Sequence, residues 1–451
     1  MHRRASIILC VVAALFPYAS RADDQVIFRY RVGDGCAAKK PPSSPTTIFD
    51  GKYGSLIKFQ AAAASKLTAC GTPLPVANDG FFGCGLRKAI ITLAQCPQVK
   101  AVLPVGTSAV RGDLTEAMWR ALISDAPPPD MEARIKALVL TFERTDYGRV
   151  EWNFCQSPDP VQGAFDPNIP GSTCRSNDRN SFLTWGPRGA TAGGGREIQN
   201  ILSILKERYP LELKAALGEE ERDITGLIGL SGCDTERYLC AKWLRSDERE
   251  RWSAAFRRLA AVREARQAFD DYYATDRSDG PKVRAFFETY RHLNIKPTQI
   301  DYAFFVDRAT HTAGLPDKPS RIADQVENFI GTQQDNWRVR RAMSVLYPAR
   351  GDQQVDRLGR DAVFFVDAVG EANLEQGANG EDVAWRKRSA LKASDFGLSD
   401  GVVVAMPAMP KSLDLESEGS VSLPQGLQAC PSEVLLRRNK AGLPKPSNAC
   451  Q

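Results

Sequence analysis

The sequence predicts a mostly α-helical α+β protein, in which a small three-helix unit precedes a larger helical unit carrying a small β-hairpin. Three observations predict it. Two glycine turns each lead into an amphipathic helix between Ala77 and Ile123. A helix with core-spaced apolar residues ends at Glu143 and is followed by two strand-like pieces. The second piece breaks into Gly-Pro-Arg-Gly-Ala-Thr-Ala-Gly, Gly186 to Gly193, ahead of a new helix. The chain has 451 residues, 43% hydrophobic and 25% charged, enough apolar material for a sizeable core. Its formal charge of +5 is modest and no block of like charges stands out, so no nucleic-acid partner is expected.

Taken in order, Arg3 and Arg4 precede an apolar run from Ile7 to Phe16, and Ser20-Arg21-Ala22 places small residues before a cut. Residues 1–22 therefore read as a secretory signal peptide cleaved after Ala22. The run is too short to span a bilayer and no later segment is long and apolar enough, so a periplasmic or secreted protein without a membrane segment after cleavage is expected. Residues 23–54 are a mixed segment with the linker Pro41-Pro-Ser-Ser-Pro45. The three-helix unit occupies 55–126. Its pieces are a helix over Ala61 to Leu67, then Ala77 to Ile90, then Gly112 to Ile123, where Leu114, Met118, Ala121 and Leu122 form a stripe and Thr115 starts the helix. Ala126-Pro-Pro-Pro129 closes it.

The larger unit covers 127–394. Ile135, Leu138, Val139 and Phe142 give its first helix a core face. Strands are expected over Arg149 to Phe154 and Phe182 to Trp185, joined by a loop rich in Pro, Asn, Ser and Gly. In the turn that follows, glycine permits positive φ and close approach, and Pro187 removes a donor. A ligand is expected to lie against this backbone, with Trp185, Arg188, Gly189 and Gly193 along the groove. One helix is expected over Arg196 to Leu217, and a longer one with Ser246 as N-cap and Trp252, Phe256, Leu259 and Phe269 in the core. Residues 395–451 loosen into a tail holding Cys430 and Cys450.

Of 11 cysteines, Cys10 leaves with the signal, and the even remainder reads as disulfides in an oxidising compartment. Connectivity is not fixed by sequence, and neighbours are the natural pairs: 84 with 96, 155 with 174, 233 with 240, 430 with 450. Beyond the signal only His292 and His311 are histidines, and the cysteine spacings do not suit zinc, so neither a metal nor another cofactor is expected. Scarce histidine also disfavours Ser or Cys nucleophiles activated by a His base. Ser203-Ile-Leu-Lys206 matches S-x-x-K but lacks the S-D-N and K-T-G partners and lies in an amphipathic helix. Carboxylate chemistry is what remains. Glu143 ends a core helix, where desolvation is expected to keep it protonated, and the glycine turn forms the facing wall. Thr191 can hold a water or a sugar hydroxyl.

Two stretches resemble known families. Asp79-Gly80-Phe81-Phe82-Gly83 with Leu86-Arg87-Lys88-Ala89-Ile90, and Gly112-Asp113-Leu114-Thr115 with Trp119 and Leu122, resemble the three-helix peptidoglycan-binding domain of wall hydrolases. A packing unit that binds nothing is the bland alternative. From Pro129 to Ser394, Glu143, the turn Gly186 to Gly193, Phe256 with Val262-Arg263-Glu264-Ala265, and Phe304-Phe305-Val306-Asp307 with His311 and Gly314 resemble the lysozyme superfamily, most closely its bacterial chitosanase branch.

That resemblance implies a lysozyme-like, two-lobed domain with Glu143 as general acid and Thr191 assisting. The family's second carboxylate falls at Gly186 here. Candidates to replace it are Asp146, Glu151 and Asp178; without one, a lytic transglycosylase using a single glutamate is implied. The implied substrates are β-1,4-linked amino-sugar polymers, peptidoglycan first and chitosan second. A cell-wall-binding protein on an inactive scaffold is the alternative of another class.

Overall fold

In the computed structural model, the described residues are 24–29, 48–49, 55–143, 147–152, 181–193, 196–230, 232–276, 278–311, 314–349, 353–370 and 391–409. The expected signal segment, the expected pairs 155/174 and 430/450, Asp146 and Asp178 lie outside them.

Leu56, Phe59, Ala63 and Leu67 repeat at helical spacing and are all buried on one face of α1 (Ser55–Ala69). Against them pack α2 (Cys84–Gln95), the short α3 (Pro97–Lys100) and α4 (Glu116–Leu122). Thr115 starts α4 by accepting the Met118 N–H at 3.2 Å. Two antiparallel ribbons flank these helices: β1 (Val26–Phe28) with β4 (Leu114–Thr115), and β2 (Ile48–Phe49) with β3 (Phe81–Phe82). A disulfide joins Cys70 to Cys96, tying the end of α1 to the end of α2. The expected Cys84–Cys96 bridge is therefore not formed, and Cys84 is itself disulfide-bonded.

The first helix of the larger unit is α5 (Met131–Glu143), with Ile135, Leu138, Val139 and Phe142 buried. A three-stranded antiparallel sheet follows in the order β5 (Val150–Trp152), β6 (Ser181–Trp185), β7 (Ala190–Gly193). The third strand was not expected. The turn itself spans only Gly186 to Gly189, closed by the Gly189 N–H on the Gly186 carbonyl at 3.2 Å, and Ala190 to Gly193 return along β6.

Next come α6 (Glu197–Arg208), α7 (Pro210–Leu217), α8 (Glu221–Thr225), α9 (Gly232–Leu244), α10 (Ser246–Ala261) and α11 (Arg263–Ala274). The single helix expected over Arg196 to Leu217 is two, because Pro210 offers no N–H to continue α6 and opens α7 instead. The long helix after Ser246 likewise breaks at Val262, which is extended. Arg245 occupies its cap position, so Ser246 is not the cap. The side chains of the expected 233–240 pair, on α9, lie outside those described.

The chain closes with α12 (Gly280–His292), α13 (Gln299–His311), α14 (Pro319–Ile330), α15 (Asn336–Leu346), α16 (Gln353–Ala362) and α17 (Val366–Val369). After a 3-10 turn at Ala393–Phe396, an extended segment is pinned where Gln299 N–H meets the Val402 carbonyl at 3.0 Å and Val404 N–H meets the Pro297 carbonyl at 2.8 Å. The protein is thus mostly helical with small antiparallel sheets.

Two large apolar cores organise it. One gathers residues between Ile27 and Phe142 together with residues between Phe286 and Leu398, so the helices of 55–126 share it with α12 to α15. The other runs from Leu140 to Tyr273 and contains the sheet and α6 to α11. Helix α5 serves both, giving Ile135, Leu138 and Phe142 to the first and Leu140 to the second. No described helix is long and apolar enough to cross a membrane.

Candidate functional site

Strand alternation divides the sheet into two faces. Trp152, Leu183, Trp185 and Ala190 are matched across the strands and buried. Trp185 is fully enclosed between Phe256 and Phe269, with ring centroids 5.3 and 5.5 Å away, and its indole N–H donates to the Tyr147 carbonyl at 2.8 Å. It is a core residue, not the groove wall expected of it. Gly193 is also buried, its carbonyl accepting the Arg196 N–H at 3.2 Å, so it too lies off the groove.

Glu151, Thr184 and Thr191 are matched in register and share the other face. Glu151 is 37% exposed and grips Arg149 through both oxygens, at 2.8 and 2.9 Å.

Gly186 has φ +78°, and a Cβ there would lie 2.7 Å from Cζ of Phe269. No side chain fits without a shift of Phe269, so the position where a second carboxylate was expected is closed by packing. Gly189 also has positive φ, at +67°, which lets the turn tighten beside Arg188. Arg188 donates to Asp279 at 2.7 Å and lies 4.9 Å from the centre of the Tyr273 ring. It lines a cavity of about 310 Å³ between the two cores. From the side of the first core come Glu132 and Lys136 of α5 and Tyr302 of α13; from the second come Asp270 and Tyr273 of α11; Met406 to Met409 border it from the C-terminal segment. Lys136 reaches Asp270 at 2.5 Å, an ion pair joining α5 to α11 across the cavity floor.

Glu143 is on the same face of α5 as Glu132 and Lys136, about 10.5 Å along the axis from Lys136. Its side chain is 25% exposed. In place of the apolar surroundings expected for it stands the buried Arg360 guanidinium, paired with its Oε1. Arg360 belongs to a charged cluster in the interior. Arg357 pairs with Asp307 and reaches Asp361 at 2.8 Å; Arg308 reaches Asp361 at 2.8 Å; all five side chains are at most 2% exposed. Burial pushes the Asp307 carboxyl up, but the Arg357 and Arg360 charges outweigh it and hold the group below its ordinary value. Burial, then the same two guanidinium groups, hold the His311 imidazole below its ordinary value. Glu143 therefore sits at the edge of a preset array of fixed charges.

A second carboxylate emerges on the hairpin side. Glu197, the first residue of α6, accepts the Thr191 N–H at 2.8 Å. Burial raises its pKa, with Asp279 adding to the rise while Thr191 and Lys282 oppose it. Lys282 donates to Asp279 at 2.8 Å and to the Ala309 carbonyl at 3.2 Å, linking this side to the end of α13 that also bears Asp307 and His311. Nothing in the sequence singles out Glu197 or the run Arg357-Leu-Gly-Arg360-Asp361 as part of a site. Among the described residues no group of three His, Cys, Asp or Glu side chains is placed to hold a metal ion. No protein-family model, curated protein or solved structure matches the chain.

Proposed function

We propose that this protein is an exported enzyme that cleaves β-1,4-linked amino-sugar polymers, peptidoglycan glycan strands foremost, on a lysozyme-like two-lobed scaffold. Glu143 protonates the leaving oxygen. One observation carries the reading: a partly exposed carboxylate ends the helix shared by both cores, on the helix face that also carries Lys136 of the cavity wall, and it pairs with a buried guanidinium. When its proton passes to the glycosidic oxygen, Arg360 stabilises the carboxylate that forms, which is the kind of preset electrostatic support that lowers a barrier. The helical region 55–126 supplies wall affinity through its likeness to peptidoglycan-binding domains. The signal-like N-terminus and the Cys70–Cys96 disulfide support export.

A second reading has a specific observation behind it. Gly186 is sterically closed and Glu143 is already ion-paired, as in a wall-binding protein whose chemistry has been lost. One experiment separates the two. Mature protein is incubated with purified sacculi and with chitosan, and the products are analysed by mass spectrometry. Wild type should release short glycans, and Glu143→Gln should release at least 10²-fold less while still sedimenting with sacculi. Cleavage of neither polymer by wild type, with sedimentation retained, would favour the binding protein.

A further inference from the structure

Resting on that cleavage reading, we infer that Glu197 is the carboxylate that activates water in the reaction, from the start of α6 instead of from the closed position at Gly186. The hairpin wall offers two described carboxylates near Thr191. Glu151 is committed at both oxygens to Arg149 and is 37% exposed. Glu197 is different. It accepts both the Thr191 N–H, at 2.8 Å, and the Thr191 hydroxyl. A carboxylate has about four acceptor sites, so capacity for a water remains.

Its position is rigid. Arg196, immediately before it, takes the left-handed conformation at φ +51°, and the Arg196 guanidinium is held on the Ile228 carbonyl at 2.8 Å. Helix α6 then buries Ile198, Ile201, Leu202 and Leu205 behind it.

The surroundings point to a ligand. Asp279 and Lys282 at the start of α12, Tyr273 of α11 and Arg188 of the turn are the charged and titratable groups around Glu197. Tyr273 and Asp279 also line the cavity. The Tyr273 hydroxyl is buried without a hydrogen-bond partner among the described residues, although buried hydroxyls are nearly always satisfied. A bound sugar hydroxyl or water supplies the missing partner. Burial also raises the Glu197 pKa towards the operating pH, which makes its carboxylate a stronger base.

The step balances. The anomeric C–O bond breaks as the leaving oxygen takes the Glu143 proton. The water oxygen bonds to the anomeric carbon, and its proton passes to Glu197. Solvent then returns both carboxyl groups to their starting states.

The test uses the full mature protein on sacculi or chitosan in water enriched in oxygen-18. Wild type should place one oxygen-18 in each new reducing end. Glu197→Gln should lower kcat about 10²–10⁴-fold with little change in KM or melting temperature, and should lose the acid limb of the kcat–pH profile. Glu197→Ala should recover activity in formate or azide, small anions that can replace the lost base or attack directly. Unlabelled 1,6-anhydro ends from wild type would overturn the proposal, and that arm does not depend on any variant folding. So would a Glu197→Gln variant with near-wild-type kcat, or one whose loss is unrescued and whose acid limb persists. If Glu143→Gln is inactive while Glu197→Gln is active, only this inference fails; if wild type cleaves neither polymer, both fall.

Discussion

At the scale of single residues, Gly186 is the most informative. An acid placed there, where the lysozyme-like resemblance implies one, should cost stability. Gly186→Asp should lose about 2–4 kcal/mol of stability, from positive φ in a non-glycine residue and from overpacking against Phe269. Thermal unfolding would measure it, and an Asp variant as stable as wild type would show that Phe269 yields. The turn was legible because Gly-Pro-Arg-Gly has few other uses, and Glu143 because it ends a clear core stripe. Trp185 was misassigned because an aromatic beside a glycine turn reads equally well as a groove wall or as core, and only the sheet register decides. Glu197 was hidden because nothing in its neighbours in sequence announces that Thr191 folds back to meet it.

Whole elements tell a similar story. The stripes of α1, α4 and α5 could be read directly, since one side of each helix is apolar and the other polar. Breaks were less visible: Pro210 was the available signal for the α6–α7 junction, while Val262 carries none. The strand β7, only four residues with one β-branched side chain, was too short and glycine-rich to announce itself. Helix α16 is the hardest case, since its arginines face inward to meet Asp307, Asp361 and Glu143. Arg357→Met should remove about 3–5 kcal/mol, because it strips a buried guanidinium from two buried carboxylates. The exposed pair of Arg291 with Glu288 is the control: Arg291→Met should change stability by under about 1 kcal/mol. Equal denaturant midpoints for the two variants would contradict the structural weight given to the interior cluster.

For the molecule as a whole, the same interior sets a pH dependence. His311 has a folded pKa below its ordinary value of about 6.5, so the unfolded chain binds the extra proton, and stability is lost as pH falls below that value. Glu197 acts with the opposite sign: its raised pKa contributes stability below its ordinary value of 4.5, lost as pH rises through the folded value. Between about pH 7 and about pH 5.5 melting temperature should fall, and His311→Gln should flatten that slope; an unchanged slope would remove His311 from the account. The two cores carry one more consequence, which concerns time. The core containing the sheet is drawn from an unbroken run, Leu140 to Tyr273, whereas the other needs residues before Phe142 and residues from Phe286 onward. The core with the sheet is therefore an insertion within the other, able to condense from its own local contacts as soon as its last helix emerges. The other core cannot close until Leu398 is present, so α1, α2 and α4 must keep apolar surface uncovered while the rest of the chain arrives. The first helices made are thus among the last to be buried.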